Sequence, residues 1–310
     1  MKKTIVFLMA GLFLCVACKK EEKKDSNENA QPETPVVAPC FSVSGNTKVV
    51  FSPGNLQWSA KNGGSRASVH AVAGGGIGAG TWRFAPNQWD TIGVDNTNIS
   101  SEYSGWIDLF GWATSGYSNK YPYMTTPDNT AYGNGDQDIT ATNYDWGVYN
   151  AIYNPKTNTT DEPGTWRTLS YDEWKYLTYT RVTASGIHYA KAIVNGVKGL
   201  IFLPDQWSKS TYTLTSTDTY SADYTSNNIS ADNWQKMEDA GAVFLPAAGY
   251  RRERTVSYVG SVGYYWSATS VESSDEYACY MYFTSSAFSF SGPATDRYWA
   301  KSVRLVKEVK

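Results

Sequence analysis

Apolar residues in this 310-residue chain fall in short alternating runs, and in only two places does their spacing stretch to that of a helix. Lys48-Val49-Val50-Phe51, Asn55-Leu56-Gln57-Trp58 and Thr81-Trp82-Arg83-Phe84 predict three early strands, because β-branched and aromatic side chains suit a half-buried pleat. Asn195-Gly196 stands between Tyr189–Val194 and residues 197–203. That pair predicts a hairpin, since both turn residues must accept a positive φ. The first helix is predicted from Ser170, which forms a Ser-x-x-Glu capping box with Glu173 and places Trp174 and Leu177 on one face. The second follows Ser230, carries Trp234, Met237 and Ala240 on a common stripe and stops at Gly241. Ala242-Val243-Phe244-Leu245-Pro246 then reads as a buried strand, and Ser302-Val303-Arg304-Leu305-Val306 as the strand that closes the domain.

The N-terminus has a different pattern. Lys2 and Lys3 precede an unbroken apolar run from Ile5 to Ala17, which reads as a secretion signal over residues 1–17, too short to span a bilayer comfortably. Val16-Ala17-Cys18 resembles a bacterial lipoprotein cleavage site, which makes Cys18 the lipidation site, although Cys15 stands where a Leu is usual. The polar stretch that follows has almost no apolar residue before Val36, so residues 18–40 are expected to be a disordered tether. About twenty such residues would hold a domain roughly 25 Å from its anchor. The Lys/Glu cluster after Cys18 resembles the signal that sends Bacteroidetes-type lipoproteins to the outer face of the outer membrane. The expected location is therefore the cell surface, with the membrane met only through the lipid.

Composition narrows the chemistry. The 27 basic residues, less Lys2 and Lys3, leave 25 against 29 acidic ones, and no basic stripe appears. Nucleic acid is therefore excluded as an expected partner. With 12 Trp, 23 Tyr and 26 Gly, residues 41–310 read as one domain of short strands and long ordered loops. Once Cys15 leaves with the signal and Cys18 carries lipid, Cys40 and Cys279 remain, able to pair in an oxidising exterior. His70 and His188 lack the partners of a zinc site, and no Gly-x-Ser-x-Gly elbow is present. The glycine run at residues 73–80 lacks the strand and helix of a phosphate-binding turn. Asn134-Gly135-Asp136-Gln137-Asp138 is the strongest inorganic candidate, a cluster of oxygen ligands of the kind calcium prefers, without the spacing of an EF-hand. No other cofactor is implied.

Arg167, Thr168, Leu169, Glu173, Trp174, Tyr176 and Arg181, followed by Arg304-Leu305-Val306, resemble the formylglycine-generating-enzyme variety of the C-type-lectin-like fold. Gly263-Tyr264-Tyr265-Trp266-Ser267-Ala268-Thr269, with the ending at residues 302–306, resembles more closely the Fibrobacter major paralogous domain and related Bacteroidetes surface lipoproteins. The resemblance runs from about Thr165 to Val306. It implies an α+β, C-type-lectin-like fold in which two principal helices pack on short twisted antiparallel strands among long ordered loops. Glu173 would cap its helix, Trp174, Tyr176 and Trp266 would fill the core, and Arg167 or Arg304 would make internal ion pairs. The catalytic branch of the enzyme family uses a paired-cysteine copper site, whereas only Cys279 lies in the matching half here, which points away from an enzyme.

Residues 270–301 carry the expected site. Ala278, Met281, Phe283, Phe288 and Phe290 read as inward anchors, leaving Tyr277, Cys279, Tyr280, Tyr282, Ser289, Ser291, Asp296, Tyr298, Trp299 and Lys301 as candidate ligand contacts. Tyr and Trp offer rigid area with a polar tip and Ser adapts to many partners, the chemistry of antibody paratopes. The pattern also resembles variable proteins diversified by retroelements. The expected function is a surface-anchored binding protein that recognises an extracellular protein or glycan. A structural or fimbrial assembly component and a divergent formylglycine-generating-type enzyme are the alternatives.

Overall fold

The computed structural model describes residues 39–61, 80–290 and 295–309. The signal, Cys18, nearly all of the tether, His70, most of the glycine run and Ser291 lie outside the described residues. Contacts group Ala38–Lys310 into one compact unit.

Strands β1 (Phe41–Ser42), β2 (Lys48–Phe51), β3 (Leu56–Ser59) and β4 (Thr81–Phe84) open the fold. After them come β5 (Ile152–Asn154), β6 (Thr159–Asp161), β7 (Arg167–Thr168) and the predicted hairpin, β8 (Tyr189–Val194) with β9 (Val197–Phe202). β10 (Asn228–Ile229), β11 (Val243–Pro246), β12 (Tyr250–Arg252) and β13 (Thr255–Ser257) lead into a long hairpin of β14 (Gly263–Val271) and β15 (Ser274–Phe283). β16 (Phe288–Ser289), β17 (Thr295–Asp296), β18 (Trp299–Ala300) and β19 (Leu305–Glu308) complete it.

These 19 described strands form five sheets of three or four strands each, so β structure dominates, and the α+β expectation of two principal helices packed on strands is corrected. Helix α1 (Trp146–Tyr149) is one turn, α2 (Tyr171–Lys175) passes into a π turn at Tyr176–Thr180, and α3 (Ala231–Asp239) has nine residues, about 13 Å of helix. The predicted starts are nevertheless present: Glu173 N donates to Ser170 Oγ at 3.2 Å and Ser170 N to Glu173 Oε2 at 2.8 Å. A cap signals where a helix begins and says nothing of its length. Beyond Tyr176, side chains take over the carbonyls, Thr178 Oγ1 donating to Trp174 O and Arg181 Nε to Leu177 O, and the helix ends. Trp174 and Leu177 still sink into the core, whereas Tyr176 stays half-buried.

The C-terminal strand closes the fold from within a sheet. β19 lies between β2 and β7, pairing Val306 with Phe51 and Arg167, so the two ends of the domain share one ladder. Six tryptophans, Trp58, Trp112, Trp146, Trp174, Trp234 and Trp266, are 1% exposed or less and are spread over three apolar clusters. Several small sheets thus share cores built from large rings rather than from helix stripes. At Asn195 and Gly196 φ is 47° and 81°, as the tight turn requires. Gly199 lets β11 approach, since a Cβ there would collide with the Leu245 carbonyl and the Phe244 ring.

Buried polar groups stitch the sheets. Arg181, 3% exposed, pairs with Asp205 at 2.9 Å and donates to the carbonyls of Leu177, Leu203 and His188. Arg167 grips Glu173 with two bonds, at 2.6 and 2.8 Å. Of the two arginines expected to make internal ion pairs, Arg167 does so, while the donors of Arg304 meet the side-chain oxygens of Asn55 and Gln88, at 3.4 and 2.7 Å.

Asp108 and Asp145 are both fully buried, and burial pushes each carboxyl up to about 6 in spite of the N–H groups that donate to it. Because the folded value exceeds an unfolded one near 4, the native state binds protons more tightly between about pH 4 and 6. Their stabilising contribution is complete below that window and is lost as pH rises through 6, at up to about 1.4 kcal/mol per pH unit for each group. Urea midpoints from pH 4.5 to 7 should therefore fall less in Asp108→Asn than in the wild type. Equal slopes would show that the Asp108 carboxyl titrates normally.

Candidate functional site

Alternation along β12 sends Tyr250 and Arg252 to one side and Arg251 to the other. Residues directly opposite in an antiparallel ladder share a face, and the register pairs Tyr250 with Ser257, Arg252 with Thr255, and Arg252 with Trp299. One face of this three-stranded sheet therefore carries Thr255, Ser257, Tyr250, Arg252 and Trp299. The other carries Val256, Arg251 and Ala300, which lie against Leu109 and Ala248 in the interior. Arg251 is fully buried and donates to the Leu109 and Met124 carbonyls.

The outward face is a run of packed rings. Trp299 stacks on Tyr250 at 5.2 Å and 8° between planes, Tyr258 lies over Tyr250 at 5.9 Å, and Tyr264 meets Tyr250 edge-on at 5.6 Å. Across the β14–β15 ladder Tyr264 faces Tyr282 and Trp266 faces Tyr280, and the Tyr264 ring lies 5.8 Å from Tyr280 and 6.0 Å from Tyr282. The Arg252 guanidinium sits 5.5 Å from the Trp299 ring and 5.9 Å from Tyr298. Most of these rings are half-buried, while Tyr258 is 60% exposed. Its φ of 61° is an outlier for a bulky residue, maintained because Ser261 N and Val262 N both donate to its carbonyl.

Lys301 sits under the rings rather than on them. It is 1% exposed, and its Nζ lies 4.2 Å from the Trp266 ring centre, 5.0 Å from Tyr280, 5.7 Å from Tyr264 and 5.9 Å from Trp299, with one hydrogen bond to Trp299 O at 3.1 Å. Burial drives the amine well below the ordinary lysine range, against a weaker opposing pull from Asp296. A folded value below the unfolded one makes the wild type gain stability as pH rises toward 10.5. Lys301→Met keeps the shape and removes the desolvated charge. We expect it to be as stable as the wild type at pH 7, or more so by about 1 kcal/mol, and to lose part of the rise between pH 7 and 9. Thermal midpoints at both pH values check this, and a Met variant clearly weaker at pH 7 would show that the cation–ring attraction outweighs desolvation.

Of the ten residues expected from sequence, Tyr280, Tyr282, Ser289, Tyr298, Trp299 and Lys301 come together here, Ser289 opposite Tyr282 in the β15–β16 register. Tyr277 and Cys279 alternate to the other side of β15, Asp296 accepts from Asn129 Nδ2 at 2.7 Å, and Ser291 lies outside the described residues. Burial pushes the Cys279 thiol up to about 11, and Cys40 and Cys279 are both free thiols. Tyr250, Arg252, Tyr258 and Tyr264 were not among the ten. The alternation of Tyr250-Arg251-Arg252 and Thr255-Val256-Ser257 about a two-residue turn was the available signal. At the calcium candidate, a cation already occupies the loop, Arg297 donating to Gly135 O at 2.7 Å. Among the described residues no group of three or more His, Cys, Asp or Glu could hold a metal ion.

Residues 202–306 match a family model described as a domain of unknown function, DUF8237, and this span contains the whole ring surface. No curated protein and no solved structure matches the chain.

Proposed function

We propose that this chain is a surface-anchored binding protein, carried on the outer membrane by a lipid on Cys18, that recognises an extracellular protein or glycan through the ring surface of β12–β15 and β18. The observation that carries the reading is the contiguous set Tyr250, Tyr264, Tyr280, Tyr282, Tyr298 and Trp299 with Arg252 beside it, all on strands except Tyr298, which stands in the turn between β17 and β18. Tyr, Trp and Arg dominate the energetics of protein interfaces, and Tyr and Trp also stack on sugar rings. Burial and neighbouring phenols push the Tyr264 hydroxyl up to about 12 and raise that of Tyr280 as well, so these groups meet a ligand as neutral hydrogen-bond donors. Lys301, the one amine in the cluster, is walled off by rings, which favours binding over catalysis.

A pull-down from extracellular material and a glycan array, run on wild type and on the Tyr280→Ala, Tyr298→Ala, Trp299→Ala triple variant, test this. The captured ligand should weaken by about tenfold or more in the triple variant, with circular dichroism confirming that it remains folded. Unchanged binding by the folded triple variant would place the site elsewhere.

A further inference from the structure

The ring surface ends in an open depression of about 570 Å³ at the β12–β13 turn, lined by Tyr250, Arg252, Arg254, Thr255, Ser257 and Thr125. Its lining is polar and of mixed type. Thr125, Thr255 and Ser257 offer hydroxyls that donate or accept, Glu253 accepts, and the two arginines donate. Arg254 is partly committed, giving one bond to Ile99 O at 2.8 Å. Arg252 is exposed, rests against the Tyr298 and Trp299 rings, and has no carboxylate within ion-pair distance among the described residues. Arg251 lies on the opposite, buried side of the same strand.

We infer that this depression takes a carboxylated sugar residue of a glycan, its carboxylate on Arg252 and its ring hydroxyls among Thr125, Thr255, Ser257 and Glu253. The inference rests on the binding role proposed above and names its ligand class. Three features select it. The free guanidinium calls for an anion and suits the planar carboxylate in particular. Alternating donors and acceptors fit a polyhydroxylated ring, and the volume lies in the range of small-ligand sites. An acidic peptide would instead be expected to add along a strand edge, yet β13 packs against the 3-10 turn at Gly93–Asn98, and Arg254 ties the hairpin turn to Ile99.

Calorimetric titration of the whole folded chain tests this with three probes: a glucuronic-acid oligosaccharide, the same oligosaccharide with its carboxylates reduced to alcohols, and hexaglutamate. We expect the acidic oligosaccharide to bind best, carboxyl reduction to cost about tenfold or more, and Arg252→Ala to cost the acidic sugar about the same and the reduced sugar much less. Arg252→Lys should recover part of the loss. Equal binding of the acidic and reduced sugars, tighter binding of hexaglutamate, or no binding of either sugar overturns the inference. Reduced-sugar binding that matches the acidic sugar and is lost on replacing Tyr298 and Trp299 with Ala would overturn the acidic-sugar assignment alone and leave the ring-surface reading standing.

Discussion

Arg297→Ala is expected to cost about 3–5 kcal/mol of folding stability, one of the two largest single-residue effects anticipated here. The guanidinium is fully buried and donates to five groups: the carbonyls of Tyr277, Tyr132, Gly135 and Ser274, and Ser270 Oγ. It also stacks 4.5 Å from the Trp112 ring centre. These groups belong to the β14–β15 hairpin and to the 132–135 loop, so one side chain ties a hairpin to a loop that is not part of its ladder. Truncation would leave the buried Tyr132 carbonyl and Ser270 hydroxyl without this donor and strip it from three part-buried carbonyls. Lysine offers a point charge and three donors in place of a fork of five, so Arg297→Lys should recover less than half of the loss. Urea unfolding measures both. An alanine variant within about 1 kcal/mol of wild type would mean that water replaces the guanidinium, and the role assigned to Arg297 would be wrong.

Trp266→Ala should be comparable, at about 3–5 kcal/mol in all. The indole is fully buried, its Nε1 donates to Phe110 O at 2.7 Å, and its ring lies beneath the Lys301 amine. Removing it orphans a carbonyl, opens a hole and takes away the nearest ring around a buried amine. A fall of the melting temperature by roughly 10 °C would accompany the loss in a domain of this size. Trp266→Phe fills most of the volume but restores no hydrogen bond, and should recover about half. Because the effect passes into the ring surface, ligand capture by Trp266→Phe should weaken even where the protein remains folded. Undiminished capture by Trp266→Phe would separate the support from the site.

Both residues show how much of the structure is legible in the sequence. Trp266 was expected in the core from the Gly263-Tyr264-Tyr265-Trp266 run, and it is there. Its second duty, under Lys301, depends on the pairing of Tyr265 with Ser302, which brings two distant segments side by side. Lys301 was expected at the surface because it stands among Tyr and Ser residues, and its side chain instead turns inward among the rings. Arg297 carried no signal at all. Four of its five partners are backbone carbonyls, which every residue has, so almost nothing in their side chains announces them.

Local physics was legible because it acts within a few residues. The Ser170 and Ser230 caps, the Asn195-Gly196 turn and the inward alternation of Met281 and Phe283 are each decided by neighbours in the chain. Sequence by itself therefore determined where helices and turns begin, which side chains seek the interior, and that residues 270–301 are rich in groups suited to binding. It did not determine that β strands would dominate, because helix length depends on which tertiary contacts reward each further turn. Nor did it determine the site. Tyr250 and Arg252 meet Trp299 only through the β12–β18 register, and Tyr277 leaves the group only through the side of β15 on which it falls. Register is settled by long-range pairing and burial, and a shift of one residue would exchange the two faces.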